Sequence, residues 1–372
     1  MNTGIHLSLL IGPAVPVPAP QSVMDALTGV TVTSGKDKSG FQLSFAVGKR
    51  SPLLTTLLPV GYFDPMVTRV IIVVTLGGFP NTIMDGIVTR QEFTPGSEPG
   101  QSILTVTGED LSVLMDVVEM PFMRYPYTPA IGRVYQILAK YAAFGIVPVA
   151  VPPFINDVPT NIPPHTGTDR AYLKKLASDH AYVFYVEPGP LPGESIAYWG
   201  PDVRIPVPQP ALTVNMDADT NVESLSFSLD GLAKKIMVFQ VFDPITGKVP
   251  IPIPVPNLNI FKPPLGLRPQ VPARVEFPDW AAKEDGPGIV DKVLGALARS
   301  SDSISVQGSL DVLRYGHVLR SRMLVGVRGA GLAYDGLYYV NSVTHTIKRG
   351  EYKQSFQLGR DGLISNTPRL PV

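Results

Sequence analysis

The chain contains no cysteine among its 372 residues. Disulfides, thiolate metal sites and cysteine nucleophiles are therefore excluded. An excess of charge is also missing, because 31 Lys and Arg balance 31 Asp and Glu, and charged residues make up only 17% of the chain. This balance disfavours a nucleic-acid binder that acts through summed positive charge, and no nucleic-acid sequence recognition is expected. A weakly charged surface instead suits burial against other protein subunits.

Long hydrophobic runs are absent as well. No run reaches the roughly 18 apolar residues that a membrane helix requires, and residues 70–76 are too few and too rich in β-branched side chains. The first 20 residues are apolar, but they lack the basic start of a secretory signal and prolines interrupt them. We expect synthesis and assembly in the cytoplasm, without a direct membrane span.

Signals of catalysis or metal binding are weak throughout. The five histidines show no ligand spacing, and His345 is interpreted as a packed or interface side chain within a strand. Asp217 opens a sequence like a calcium loop, but Val222 stands where glycine is needed and Ser228 where glutamate is needed. No nucleophile elbow is present. We expect no enzymatic activity and no cofactor or metal, although paired carboxylates meet only in three dimensions and are not excluded by spacing.

What the sequence does contain is a strong hairpin pattern over residues 334–363. Apolar and polar residues alternate on both sides of Arg349-Gly350, which predicts two antiparallel strands, each with one dry and one wet face, around a tight turn. The residues of the wet face are Ser342, Thr344, Thr346, Lys353, Ser355 and Gln357.

A similar hairpin pattern occurs earlier, over residues 84–110. An Asp-Gly pair opens each hairpin and a glycine lies near its end; these markers are Asp85, Gly86 and Gly108 in the first copy and Asp335, Gly336 and Gly359 in the second. Two interpretations stay open, because unrelated hairpins with Asp-Gly turns also look alike. The sharper hypothesis is an internal duplication that gives two related β-domains in one chain.

The chain divides accordingly into six segments. The prediction is a mainly β protein with an α+β insert: two β-domains, each a barrel or a sandwich and related by duplication on the sharper hypothesis, and two smaller inserted domains. The segments are an N-terminal arm (1–20), a first β-domain (21–118), the α+β insert (119–210), a second, split β-domain (211–245 and 303–363), a Pro-rich insert with a short helix at 289–299 (246–302), and a C-terminal tail (364–372). In the α+β insert, Thr168 is predicted to cap a helix that runs through Asp179.

The order of several short motifs resembles one known family. FQLSFAVG, VIIVVTLGG, MDGIVTRQEF and SILTVTGEDLSVLMD follow one another in the first domain, TDRAYLKKLA precedes YVFYV in the insert, and the block from SLDVLRYGHVLRSR to FQLGRDGL closes the chain. In this order they resemble the late control protein D family, the baseplate hubs of contractile phage tails and injection systems, which also form the N-terminal part of VgrG spikes. The resemblance covers residues 20 to 363.

The resemblance implies a homotrimer whose subunits each contribute two tube-type β-barrel domains. Three such subunits would present a pseudo-sixfold ring to a tail-tube protein ring and keep threefold symmetry toward a spike. The implied partners are the tube ring, a separate spike protein and other baseplate proteins. The resemblance also makes the wet face of the hairpin a candidate lumen surface, and burial of this face in a subunit contact fits the pattern as well. VgrG chains continue into a spike, whereas this sequence stops at Val372, so the tail is expected to point to a separate spike; its candidate contacts are Asp361, Arg369 and Pro371.

Two other functions compete with a structural hub. A carbohydrate-binding or glycosidase-like β protein predicts monomers with an aromatic cleft. A secreted toxin or effector carried by an injection particle predicts cell damage by the isolated protein, and no lysozyme-like segment supports lytic activity.

Overall fold

The computed structural model describes residues 4–13, 15–35, 39–98, 101–153, 164–203, 207–242, 250–255, 263–276 and 302–367. Strands dominate these residues, which confirms the prediction of a mainly β protein. The strands are β1 Ile5–Gly12, β2 Val17–Pro18, β3 Leu27–Gly35, β4 Ser39–Val47, β5 Arg69–Leu76, β6 Phe79–Thr94, β7 Ser102–Asp110, β8 Ile146–Ala150, β9 Tyr182–Pro188, β10 Ser195–Pro201, β11 Gln209–Thr213, β12 Ser224–Leu229, β13 Lys235–Phe242, β14 Pro250–Val255, β15 Gly266–Pro269, β16 Arg274–Glu276, β17 Ile304–Asp311, β18 Leu324–Arg328, β19 Gly336–Lys348, β20 Glu351–Arg360 and β21 Gly362–Ser365.

The helices are short and few. The α-helices are α1 Gln21–Ala26, α2 Ala130–Ala139, α3 Asp169–Asp179 and α4 Val312–Tyr315, and single helical turns occur at Leu53–Leu57, Leu58–Val60, Leu111–Asp116, Ala142–Phe144 and Asp217–Asp219. Among these described helices, none has both the length and the hydrophobicity needed to cross a membrane. The predicted helix at 289–299 lies outside the described residues.

Thirteen strands form one large sheet. Their order is β12-β17-β20-β19-β3-β4-β7-β6-β5-β1-β2, with β18 pairing beside β19 and β11 beside β18. All pairs in this sheet are antiparallel except β11 with β18. The prediction of two separate barrels is corrected here, because within the described residues neither half closes on itself and the two halves share one sheet.

The long strand β19 joins the two halves because it changes its neighbour partway along. Residues 336–339 pair with β18, and residues 342–348 pair with β3, which belongs to the N-terminal half. On its other side β19 pairs with β20 from Tyr339 to Lys348. Gly350 lies in the turn between them with a φ of 78°, the left-handed geometry that a tight hairpin turn requires. The predicted hairpin over 334–363 is therefore confirmed.

A single apolar core covers one face of the large sheet. Alternating side chains such as Val30, Val32, Leu43, Val343 and Phe356 are all buried in it. β5 is different, because six consecutive residues from Arg69 to Val74 are buried, so both of its faces are covered. The predicted N-terminal arm contributes to this core: β1 pairs with β5 over eight residues, and Leu9 and Ile11 are buried.

The α+β insert has a core of its own. β8, β10 and β9 form a three-stranded sheet, and α2 and α3 pack against it around Trp199, Leu138 and Leu173. Thr168 caps α3 as predicted, because its Oγ1 accepts a hydrogen bond from the backbone N–H of Ala171. Ile87, Leu111 and Met115 belong to this core and connect the insert to the end of the large sheet.

The Pro-rich segment forms an edge strand. β14 pairs with β13, which in turn pairs with β16. Prolines alternate in β14 at 250, 252 and 254, so only every second residue lacks a backbone N–H donor. An edge strand tolerates this pattern because its outward-facing N–H groups have no strand to bond.

Candidate assembly surface

The six polar residues predicted on the hairpin lie together on one face of the sheet. Three cross-strand pairs connect them: Ser342 with Gln357, Thr344 with Ser355, and Thr346 with Lys353. Ser355 and Gln357 are exposed, and the other four are half-buried. Whether this face lines a lumen remains a prediction, but its members form one contiguous patch.

The patch continues across the neighbouring strands on both sides. Thr33 and Thr31 of β3 lie opposite Thr344 and Thr346, and the Thr33 and Thr344 hydroxyl oxygens are 3.3 Å apart. We call the whole surface the polar sheet face; its further members are Gln42, Ser44, Thr105, Thr107, Ser224, Ser226, Ser228, Ser305, Gln307 and Ser309. Sequence reasoning found only its central strands, because strand adjacency between distant segments is not readable from the hairpin pattern.

Hydroxyl and amide groups dominate the polar sheet face, and its one charged member named above, Lys353, is paired. The Nζ of Lys353 lies 2.9 Å from Glu223 and 3.4 Å from Glu351. The hydrogen bond to Glu223 raises the pKa of Lys353 above its usual value. Arg90 and Glu92 form an exposed ion pair on β6. The members of the polar sheet face named above are therefore hydrophilic and, apart from the paired Lys353, uncharged.

The opposite face of the hairpin holds a buried polar group, His345. Its Nδ1 lies 2.7 Å from the Tyr352 hydroxyl and 3.2 Å from the Gln354 amide nitrogen. Burial lowers the pKa of His345 to about 3, so the imidazole is neutral at physiological pH. Gln354 also bonds the backbone N–H and C=O of Leu319. His345 is therefore a packed histidine, as predicted, and not an exposed base.

The repeat markers have different roles in the two hairpins. Asp85 is almost fully buried and accepts two hydrogen bonds from Arg69, from Nε at 2.7 Å and from Nη2 at 2.6 Å. It also accepts one from Ser195 Oγ at 3.0 Å, which ties the insert to the large sheet. Asp335, in contrast, accepts a bond from the backbone N–H of Ala330 and closes a local turn.

The marker glycines allow close packing, although their registers differ. A Cβ on Gly108 would collide with the Phe41 ring, and one on Gly359 would collide with Asp302. Gly108 pairs with Val88, two residues after Gly86, whereas Gly359 pairs with Tyr339, three residues after Gly336. The markers therefore indicate two similar hairpins but are not at matched positions in them.

Asp361, the first candidate spike contact, is engaged within the chain. Its Oδ1 accepts hydrogen bonds from the backbone N–H groups of Leu265 at 2.7 Å and Gly266 at 3.2 Å. It thus fixes the strand pair β15–β21 next to the hairpin. Arg369 and Pro371 lie outside the described residues.

A group of hydrogen-bonded titratable side chains lies in the insert. His165 Nδ1 is 2.8 Å from the Tyr125 hydroxyl, and the buried Asp169 accepts hydrogen bonds from Lys140 and Tyr141. Burial raises the pKa of Tyr125 and lowers that of His165. These contacts join the loops before α2 and α3, the two residues that follow α2, and the first turn of α3, so the group holds the insert together. No cluster of three or more acidic or histidine side chains suited to a metal occurs within the described ranges.

Comparisons with known proteins agree on the fold. No protein-family model and no curated protein matches the sequence. Among solved structures, a tail protein from Neisseria meningitidis MC58 superposes with a TM-score of 0.62 at 12% identity, over 96% of this chain and 98% of that one. The 43 kDa tail protein of prophage MuSo2 from Shewanella oneidensis gives 0.61 at 12% identity, over 97% and 100%. A chain of the Francisella PdpA-VgrG complex gives 0.59 at 9% identity, over 100% of this chain and 55% of that one. The chain therefore has the fold of phage tail proteins over nearly its whole length.

Proposed function

We propose that the chain is the structural hub of a phage-tail or contractile-injection baseplate, in which three copies adapt a sixfold tail tube to a threefold spike. The fold shared with two tail proteins over nearly their full lengths supports this role. The likeness to a chain of a PdpA-VgrG complex supports a spike and other baseplate proteins as partners. In this role the protein is a particle component without enzymatic activity.

The observation that carries the proposal is a repeated strand order within one chain. In the N-terminal half the sheet runs β3-β4-β7-β6-β5, and in the C-terminal half it runs β12-β17-β20-β19-β18. If the five strands of each series are numbered by their order in the chain, both series lie in the sheet as first, second, fifth, fourth and third. All pairs in both series are antiparallel. A short helical segment follows the second strand each time, at Leu53–Leu57 and at Val312–Tyr315. This repetition supports a duplication, with the insert 119–210 between the two units.

Two similar units per chain solve a symmetry problem. A tube of six subunits presents six equivalent positions, whereas a spike of three presents three. Three chains with two units each offer six similar edges to the tube while the whole assembly keeps exact threefold symmetry. The two units need not be barrels on their own, because a closed ring can form when sheets of neighbouring copies join.

The polar sheet face is proposed to line the channel of this ring. A channel that passes an unrelated cargo should hold it weakly, and hydroxyl and amide side chains, with Lys353 held in ion pairs, provide such a surface. The apolar face of the same strands is already used by the core.

The test is to locate the chain in a particle. An epitope tag at exposed Lys175 on α3, introduced at the native locus, should decorate one end of purified tails at three sites per particle, and cryo-electron microscopy should place the chain between tube and spike. Deletion of the gene should abolish tail assembly. Particles that assemble normally without the chain would refute the proposal. Binding of a defined oligosaccharide by the monomeric protein would favour the carbohydrate-binding alternative instead.

A further inference from the structure

Several strand edges in the large sheet have no partner among the described residues, and two of them belong to strands of the repeated order, β6 and β12. β6 pairs with β5 through residues 79–87, but from Arg90 to Thr94 it pairs only with β7. β12 pairs only with β17 and is the terminal strand of the sheet order. Unpaired edges present rows of backbone N–H and C=O groups and are templates for pairing with another chain.

The chain itself shows how such edges combine. The second half of β19 pairs antiparallel with β3, from Ser342 opposite Gly35 to Lys348 opposite Gly29. In the repeated strand order, β6 takes the place of β19 and β12 takes the place of β3. The unpaired part of β6 therefore corresponds to the second half of β19, and the unpaired edge of β12 corresponds to the edge of β3. Those two edges, of β19 and β3, already pair with each other within the chain.

We infer that β6 of one copy pairs antiparallel with β12 of the next copy and continues the sheet across the subunit boundary. This inference rests on the proposed hub function and specifies the interface that function needs. Because the contact is head-to-tail, each copy uses β6 toward one neighbour and β12 toward the other. Such a contact closes into a ring when the rotation between copies allows it.

The internal junction also predicts the register. A bulge in β6 lies just before Arg90, and a bulge in β19 lies just before Ser342, so these two residues correspond. Across the N-terminal half of the sheet, Arg90 pairs with Thr107, Thr107 with Gln42, and Gln42 with Thr31. Across the C-terminal half, Ser342 pairs with Gln357, Gln357 with Gln307, and Gln307 with Ser226. Thr31 and Ser226 therefore correspond as well. The pairs predicted between copies are Arg90 with Asp230, Gln91 with Leu229, Glu92 with Ser228, Phe93 with Phe227, and Thr94 with Ser226.

The side chains fit this register on both faces of the sheet. Arg90 has 72% of its side chain exposed, and it would meet the exposed carboxylate of Asp230. On the opposite face, Phe93 is 47% exposed and would pack on Phe227, next to Leu229, which is 39% exposed. A slip by one residue would place Phe93 among serines on the polar sheet face. Charge and hydrophobicity therefore favour the same register that the internal junction predicts.

Cysteine cross-linking tests the register directly, because the wild-type chain has no cysteine. Arg90→Cys and Asp230→Cys are combined in one full-length chain, which is purified and oxidised. We expect covalent dimers and trimers on a non-reducing gel, and no cross-linked product larger than three copies. The matched control combines Glu92→Cys with Phe227→Cys, which lie on opposite faces of the predicted interface and should cross-link far less. Intramolecular cross-links, equal cross-linking by both variants, or a chain that stays monomeric would overturn the inference.

Charge reversal tests the Arg90–Asp230 pair without covalent trapping. Arg90→Glu and Asp230→Arg should each weaken self-association about tenfold per interface, because each places like charges opposite one another across the strands. The double variant should associate more tightly than either single variant, and Lys175→Glu on α3 should have no effect. Additive losses in the double variant would contradict the pair.

The two proposals fail in different ways. If the tagged chain lies at the hub of particles but the charge-reversed variants assemble normally, the interface is wrong while the hub function stands. If the cysteine variant forms cross-linked trimers that never enter particles, the interface stands and the hub function is wrong.

Discussion

At the scale of single residues, two buried pairs of polar side chains stabilise the fold, and no sequence motif indicated these contacts. Arg69 and Asp85 form a two-point ion pair that also reaches Ser195 and the backbone of Gly193 in the insert. His345 and Tyr352 form a hydrogen-bonded pair under the hairpin. In both cases a polar side chain inside the protein is tolerated because each has specific partners.

Replacing Asp85 with Asn should destabilise the protein strongly. The change leaves the Arg69 guanidinium buried without a full counter-charge, and we expect a loss of about 3 kcal/mol in the free energy of unfolding. Urea denaturation followed by circular dichroism measures this loss. Glu92→Gln, which breaks the exposed ion pair with Arg90, is the control and should cost less than about 1 kcal/mol. Equal shifts in both variants would contradict the structural role of the buried pair.

His345 should make the protein sensitive to acid. Its pKa in the folded protein is lowered to about 3 by burial, whereas an unfolded histidine has a pKa near 6.5. The unfolded state therefore binds one more proton between these values, so stability is complete above about pH 6.5 and falls as the pH decreases, by up to about 1.4 kcal/mol per pH unit.

The variant His345→Gln should flatten this dependence between pH 6 and pH 4, since glutamine keeps a hydrogen-bonding group for Tyr352 but does not titrate. Denaturation midpoints across this range, compared with the wild type and with His317→Gln in a loop, provide the measurement. An unchanged slope in His345→Gln would show that other groups control the acid response.

At the scale of elements, the hairpin β19–β20 is the central unit of the molecule. It pairs with β17 on one side and with both β18 and β3 on the other. Its two faces obey the alternation read from the sequence: Val343, Ile347, Tyr352 and Phe356 enter the core, and Ser342, Thr344 and Ser355 stay on the polar sheet face. The hairpin was predictable because its signal is local. Its contact with β3, more than 300 positions away in sequence, was not.

A charge on the buried face of this hairpin should prevent folding and assembly. Val343→Asp and Phe356→Asp each place a carboxylate among apolar side chains, and we expect losses of about 4 kcal/mol or more. Thr344→Asp, one position further along the strand, faces the polar sheet face and should fold normally. Soluble yield and thermal unfolding distinguish the two outcomes. Normal assembly by Val343→Asp would contradict the packing assigned to the hairpin.

At the scale of the whole molecule, one sheet spans both halves of the chain. The insert is held against this sheet by the hydrogen bond from Ser195 to Asp85 and by Ile87, which packs into the core of the insert. The proposed ring extends the same sheet from one copy to the next. The polar sheet face would then be continuous around the channel, and its residues would be accessible only from inside.

A bulky label on this face should block transport without blocking assembly. Ser355→Cys, labelled with a maleimide that carries biotin and then bound to streptavidin before final tube docking, should give particles of normal appearance whose cargo delivery falls to background. The same label at Lys175→Cys on the outside of the insert should leave delivery intact. Equal delivery by both labelled particles would exclude the polar sheet face from the channel.

Local chemistry alone determined the strands of the two hairpins, the capped start of α3 at Thr168 and the two faces of the second hairpin, because alternation, turn residues and caps act over a few neighbouring positions. The absence of cysteine likewise settled from sequence that no disulfide holds the fold. Only the tertiary structure decided that the halves merge into one sheet through β19 and β3, that Asp85 and Asp335 differ in role, and that β6 and β12 keep edges without a partner in the described part of the chain. These features depend on pairing between segments far apart in the chain, and many strand orders satisfy the same local pattern.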